Sequence, residues 1–242
     1  MIKNMNILLV LAFLFFTGST LGWILEVFWR RFFSKNNPEK KWINPGFLTG
    51  PYLPLYGLSL IILFLLSFTD VSFIKSPGLQ KTILFIFMAV CITCIEYVAG
   101  LIFIKGMNIK LWDYSKNRFN IKGIICLQYS FYWIILSAVY YFLIHPKILS
   151  WLYWFTNHLT FSFTVGFFYG IFFMDLCYTF NLSAKIRKYA REEKIIIRYE
   201  NLKNSFRKKN EEFLQKTRFL FPLKSEKKPL REMLAEIFNP KQ

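Results

Sequence analysis

Five stretches of this chain, about 5–29, 52–73, 80–104, 122–144 and 159–182, are apolar and of roughly the length that crosses a bilayer. A helix needs about 20 apolar residues to do so. In hydrocarbon every backbone N–H and C=O must be satisfied within the protein, so such runs fold as helices. The expectation is an all-α polytopic membrane protein with five transmembrane helices. Composition agrees: 55% of the 242 residues are hydrophobic and mean hydropathy is +0.34, against about 45–50% apolar in soluble domains. The first stretch lacks a small-residue cleavage site and contains Glu26, so it reads as a retained helix rather than a leader.

Lysine and arginine give the orientation. The loop after the first stretch carries Arg30, Arg31, Lys35, Lys40 and Lys41. The loop after the third carries Lys105, Lys110, Lys116 and Arg118, with Lys122 at the next helix. The other loops hold Lys75, with Lys81 at its edge, and Lys147. The positive-inside rule then places the N-terminus outside and the C-terminus inside. The formal charge of +17 sits in loops and tail, where it meets anionic headgroups. Membrane lipids, not nucleic acid, are the expected contacts. The location is the plasma membrane, or inner membrane, as a multi-pass protein.

Three expected helices each carry one acid near the inner end: Glu26, Glu96 and Asp175. Intramembrane carboxylates are costly and usually face a bundle interior or a wet cavity, with a partner. Glu26 and Arg30 stand at i, i+4 and can pair on one helix face. The sequence predicts one polar cluster of Glu26 and Glu96, with Arg30 or Trp112 as partner and Asp175 close by. Trp112-Asp113-Tyr114-Ser115 follows Glu96 in the inner loop. Asp113 either caps a short interfacial helix or lies beside Glu96 in a polar pocket. Trp42 follows Glu26 by the spacing at which Trp112 follows Glu96, which hints at two parallel helical hairpins.

Between the first two helices, Pro45, Gly46, Gly50, Pro51, Pro54 and Gly57 forbid a simple helix start. The prolines remove backbone donors and the glycines permit tight turns. This is a tight interfacial turn or a broken-helix element lining a site, since irregular backbone at membrane depth survives only when buried or wetted. Gly166 and Gly170 have the small-xxx-small spacing of helix packing. Cys91 and Cys94 form a C-x-x-C one turn apart in an apolar helix, with no second pair. Neither a metal site nor a disulfide framework is expected, and no cofactor.

From about Ser183 the chain becomes basic, giving two regions: 1–182, the transmembrane domain, and 183–242, an amphipathic cytoplasmic tail. Residues 184–216 read as one continuous helix, with Ile195, Tyr199, Leu202, Phe206 and Phe213 on one face. Pro222 and Pro229 end it. Leu230, Met233, Leu234, Ile237 and Phe238 form a second short amphipathic helix. The tail is a solvated or membrane-surface segment or a docking surface for a cytoplasmic partner.

Residues about 18–140 resemble the putative ABC-transporter type IV family of CmpB-like permeases. The resemblance rests on Gly22, Trp23 and Glu26; on Asn44-Pro45-Gly46-Phe47, Gly50-Pro51 and Pro54-Leu55-Tyr56-Gly57; on Glu96-Tyr97 and Gly100; and on Trp112-Asp113-Tyr114-Ser115 with Gly123. It implies a bacterial multi-pass permease and supplies no catalytic or substrate-binding residues. The chain has no G-x-x-x-x-G-K-[ST] phosphate loop. An ATPase, if one drives it, is a separate subunit. Five helices are few for a whole pathway, so a permease reading also expects a homo-oligomer or a partner.

Three functions are compatible with these residues. The first is a permease or transport subunit in which Glu26, Glu96 and Asp175 bind a cation, proton or amine. The second is a lipid-acting membrane enzyme, with two carboxylates as acid and base and Arg30 and Arg31 on a phosphate. Against it, His145 and His158 fall on the outer side. The third is a scaffold in which the acids fix helix packing. A carboxylate saturated by donors speaks for the scaffold, and one that faces a cavity speaks for a site.

Overall fold

A computed structural model describes residues 6–34, 37–158, 160–207 and 230–238, and it is mostly helical. Among the described residues, four helical segments are long and apolar enough to cross a membrane. They are α1 (Ile7–Phe32), α3 (Pro77–Met107), the joined pair α4 (Leu127–Val139) and α5 (His145–Asn157), and α6 (Thr160–Glu192). Asn6 caps α1 by accepting from the backbone N–H groups of Leu8 and Leu9. Arg30 and Arg31 in its last turn complement the helix dipole.

The second expected crossing is helical only over α2 (Pro54–Leu66), 13 residues. At 1.5 Å per residue that is about 20 Å, short of the roughly 30 Å of a hydrocarbon core. The residues before it are irregular. Pro51 has no N–H to give and Pro54 fits only the first helical turn. The fourth helix runs on past Ile144. A π-helical turn, Tyr140–Ile144, joins α4 to α5, and Pro146 sits in the first turn of α5, where a missing N–H does little harm. Ile148, Leu152 and Phe155 of α5 are buried, and Phe155 stacks on Phe13 of α1 at 4.2 Å. Trp151, Tyr153 and Trp154 are exposed, which suits a membrane–water interface.

The main core gathers Val10 and Leu14 of α1, Leu63 and Phe64 of α2, Met88 and Ile92 of α3, Trp133 of α4 and Leu152 of α5. The tightest seam lies between α1 and α2. Leu53 N–H donates to Ser19 O at 2.9 Å, so α2 starts against the middle of α1. A Cβ on Gly57 would meet Ser19 Oγ and Phe15 O. The latter is backbone and cannot yield. Gly57→Ala is expected to destabilise the protein by about 1–3 kcal/mol, the range for overpacking, in thermal unfolding of the purified protein. Gly170→Ala should change little, because nothing stands within 4 Å of a Cβ there. Equal melting of the two variants would contradict this seam. The same is true of Gly166, so the expected small-residue packing is not used among the described residues.

The tail departs from the continuous helix predicted over 184–216. Helix α6 ends at Glu192, and Lys194 takes a left-handed φ of 53°. Ile197–Arg198 (β4) then pairs in parallel with Ile109–Lys110 (β1), in the loop after α3. A helix, α7, follows over 199–207. Phe213, Pro222 and Pro229 lie outside the described residues. Helix α8 (Leu230–Phe238) forms where the sequence predicts it. A second core unites Ile109, Ile186, Tyr189, Ala190, Ile197, Leu202 and Leu234. The tail therefore folds back on the loop after α3. Burial of Ile197 within a run of three β-branched residues, Ile195 to Ile197, and its strand pairing override helical propensity. A small hairpin, Asn120–Ile121 (β2) with Ile125–Cys126 (β3), leads into α4.

Candidate functional site

Asn44 organises the broken segment. Its Oδ1 accepts from Trp23 Nε1 at 2.9 Å and Gly46 N at 3.0 Å. Its Nδ2 donates to Leu48 O at 3.0 Å and Thr49 O at 2.8 Å. One side chain thus ties the segment to α1 and folds it on itself. Asp175 of α6 holds the other end. It accepts from Thr49 N at 3.2 Å, Gly50 N at 2.8 Å, Tyr52 Oη at 2.6 Å and Thr179 Oγ1 at 3.0 Å. These donors saturate it. Among the described interactions Asp175 is bonded to the broken segment and Thr179, not to Glu26 or Glu96.

Glu26 sits between two donors. Arg30 Nε reaches its Oε1 at 3.1 Å and Tyr56 Oη its Oε2 at 3.1 Å. Arg30 also donates to Glu200 Oε1 of α7 at 2.6 Å. Tyr56 fits against α1 only because residue 22 is glycine, where a Cβ would overlap the Tyr56 ring. Glu96 of α3 is 3% exposed. Tyr114 Oη donates to its Oε1 at 3.4 Å. The Trp133 indole of α4 also approaches the carboxylate, but Oε2, which is buried, makes no hydrogen bond of normal geometry among the described residues. Glu26 and Glu96 are close enough for their charges to interact, and Tyr56 stands within electrostatic reach of both.

Trp112 takes another role than the partner expected for a carboxylate. Its Nε1 donates to Ile124 O at 2.7 Å, and Gly100 leaves the room in which Ile124 and Trp112 approach α3. Trp42 is not its equivalent: it is 58% exposed, with the Arg31 guanidinium 4.2 Å from its ring centroid. Asp113 neither caps a helix nor lies beside Glu96. It pairs with Lys110 at 2.6 Å and Arg198 at 3.1 Å, and accepts from Ser115. The adjacent residue, Tyr114, is the one that reaches the acid.

Burial alone would push the Asp113 carboxyl up, but hydrogen bonds from Lys110 and Ser115 and the Lys110 charge hold it at about 2. A carboxyl lowered from 3.8 stabilises the fold above the unfolded value and loses that contribution as pH falls through the folded one. The stability gap between wild type and Asp113→Asn is therefore expected to shrink between about pH 4 and pH 2. A gap constant over that range, read from thermal midpoints, would contradict the ion pair.

A cavity of about 330 Å³ opens at this point. Glu26, Arg30, Tyr56, Glu96 and Trp112 line it, together with Pro45, Gly46 and Pro54 of the broken segment and apolar side chains of α3 and α6. Gly50, Pro51 and Gly57 are not on its wall, and neither is Asp175. The tail closes on the broken segment. Lys203 Nζ donates to Asn44 O, with Gly46 O at 3.4 Å, and Tyr199 Oη lies 3.4 Å from Phe47 O. Burial, and then the Arg30 charge, lower the Lys203 amine to about 8. Sequence reasoning missed Asn44, Tyr56, Glu200 and Lys203 as site residues. Asn44 and Tyr56 stand in the very motifs that carry the family resemblance. Glu200 and Lys203 have no local signal, since only the fold brings them here.

No group of three or more His, Cys, Asp or Glu side chains that could hold a metal occurs among the described residues. A sequence profile of the family described as Putative ABC-transporter type IV matches residues 13–180, more than half of the chain. No curated protein and no solved structure matches it.

Proposed function

The chain belongs to the family described as Putative ABC-transporter type IV, and from that premise we propose that it is a membrane transport subunit whose cavity at Glu26 and Glu96 is the substrate site. The observation that carries this reading is Glu96. It is a buried carboxylate with one oxygen unpartnered among the described residues, on the wall of a cavity inside apolar helices. A purely structural acid is saturated, as Asp175 is. An acid left open beside a cavity is arranged for something that comes and goes.

In this reading the broken segment and α2 together make one crossing, and the protein has five. The N-terminus is outside, and the tail lies inside against anionic headgroups. The membrane is the plasma membrane. The broken segment exposes backbone at membrane depth where it lines the cavity, as transporters do with discontinuous helices. Helix α7 covers its inner mouth. A separate polypeptide with a phosphate loop supplies ATP hydrolysis, and a second copy of this chain completes the pathway.

Capture of the full-length chain from membranes in mild detergent tests the reading. It is expected to bring a phosphate-loop ATPase, with nucleotide hydrolysis in the complex changed several-fold by Glu96→Gln. A chain that purifies alone, with no hydrolysis above background, would overturn it.

A further inference from the structure

The cavity has a polar end and an apolar body. Glu26 and Glu96 give two carboxylates against one guanidinium, and Arg30 is already shared with Glu200. Both Glu26 oxygens have donors, whereas Glu96 Oε2 has none among the described residues. Its neighbours Tyr114 and Trp133 are neutral, so what the site lacks is a positive donor. The rest of the wall is hydrocarbon and aromatic: Ala99, Phe103, Phe172, Leu176 and Phe180. A bare inorganic ion would leave that surface unmatched.

We propose that the cavity binds a small primary amine: a protonated –NH3+ group on an apolar body. The ammonium donates to Glu96 Oε2, in the part of the cavity that Tyr56 and Trp112 also line. The apolar body lies against α3 and α6. The volume, about 330 Å³, is at the small end of the roughly 300–1,000 Å³ range of small-molecule sites, so the amine is a free molecule and not a two-chain lipid. This deepens the transport reading by naming the substrate class, and it rests on the cavity being the substrate site.

Octylamine is the probe, measured by equilibrium binding to the full-length protein in phosphatidylcholine nanodiscs, with empty discs subtracted. Saturable one-site binding is expected, at least tenfold weaker for Glu96→Gln. Octanol, without charge, and octyltrimethylammonium, without an N–H, are expected to bind at least tenfold more weakly. Equal affinity of octylamine for wild type and Glu96→Gln, or of octanol and octylamine for wild type, would overturn the proposal. So would displacement of octylamine by phosphatidylethanolamine placed in the disc. Ala99→Leu keeps Glu96 and narrows the cavity. It is expected to shut octylamine out even if Glu96→Gln does not fold, and undiminished binding would count against the assignment. No binding to wild type alongside a captured ATPase would discard the amine and leave the transport reading. Binding without any ATPase would do the reverse.

Discussion

Arg30→Met is expected to lower the stability of the folded protein by roughly 2–4 kcal/mol, toward the lower part of what removing one partner of a buried ion pair costs because the partners are partly wet. The guanidinium stands between Glu26 at 3.1 Å and Glu200 at 2.6 Å, with about a quarter of each carboxylate side chain exposed. Methionine fills the volume but leaves two acids facing each other, with Tyr56 as the donor still on Glu26. Arg30→Lys should recover only part of the loss, since a point charge cannot present two N–H groups in the directions this bridge uses. Thermal midpoints in detergent would measure both. The double variant Arg30→Met, Glu26→Gln should be more stable than the sum of its single changes. Strict additivity would mean that the bridge contributes nothing.

Asp175→Ala is expected to lose about 3 kcal/mol, the upper range for hydrogen bonds to a charged group. Four donors lose their acceptor together, two of them backbone N–H groups of the broken segment. Amide exchange at Thr49 and Gly50 should accelerate more than exchange in the α1–α2 seam. Asp175→Asn should fall between, because one acceptor oxygen remains. A variant with native melting and unchanged exchange at these two residues would rule out the staple. This outcome also separates the acids by role. Asp175 variants should fail by unfolding, and Glu96→Gln should fail with the fold intact.

Much of the fold is legible along the chain because apolar length is a strong signal in a membrane. Helices α1, α3 and α6 lie where the runs are. What misleads is local chemistry with a distant cause. Gln, Ser and aromatic residues carry the fourth helix to a plausible end at Ile144, but its π turn lets it pass Pro146. Nothing between Ala184 and Lys216 is a helix breaker, yet the chain turns at Lys194 because Ile197 has a strand partner 88 residues earlier at Ile109. The run Ile195-Ile196-Ile197 was the only local hint. In the site, Glu26 with Arg30 follows from i, i+4 spacing, and the Glu26–Glu96 proximity from similar depth on parallel-running helices. Tyr114 in place of Asp113 does not follow, since neighbours in a loop point in different directions. The grip of Asp175 on the broken segment does not follow either: depth says nothing about which face of a helix an acid occupies.

Helix α6 is one unbroken rod of 33 residues, about 50 Å long. Asp175 near its middle grips the broken segment, and Ile186, Tyr189 and Ala190 near its end are clamped in the second core with Ile109 and Leu234. A rod held at two points transmits torque. Any force that pulls on the clamped end must either snap its grip on Gly50 or swing the cavity wall at Phe172 and Leu176 along with it. The clamped end of α6 is thereby geared to the wall of the cavity.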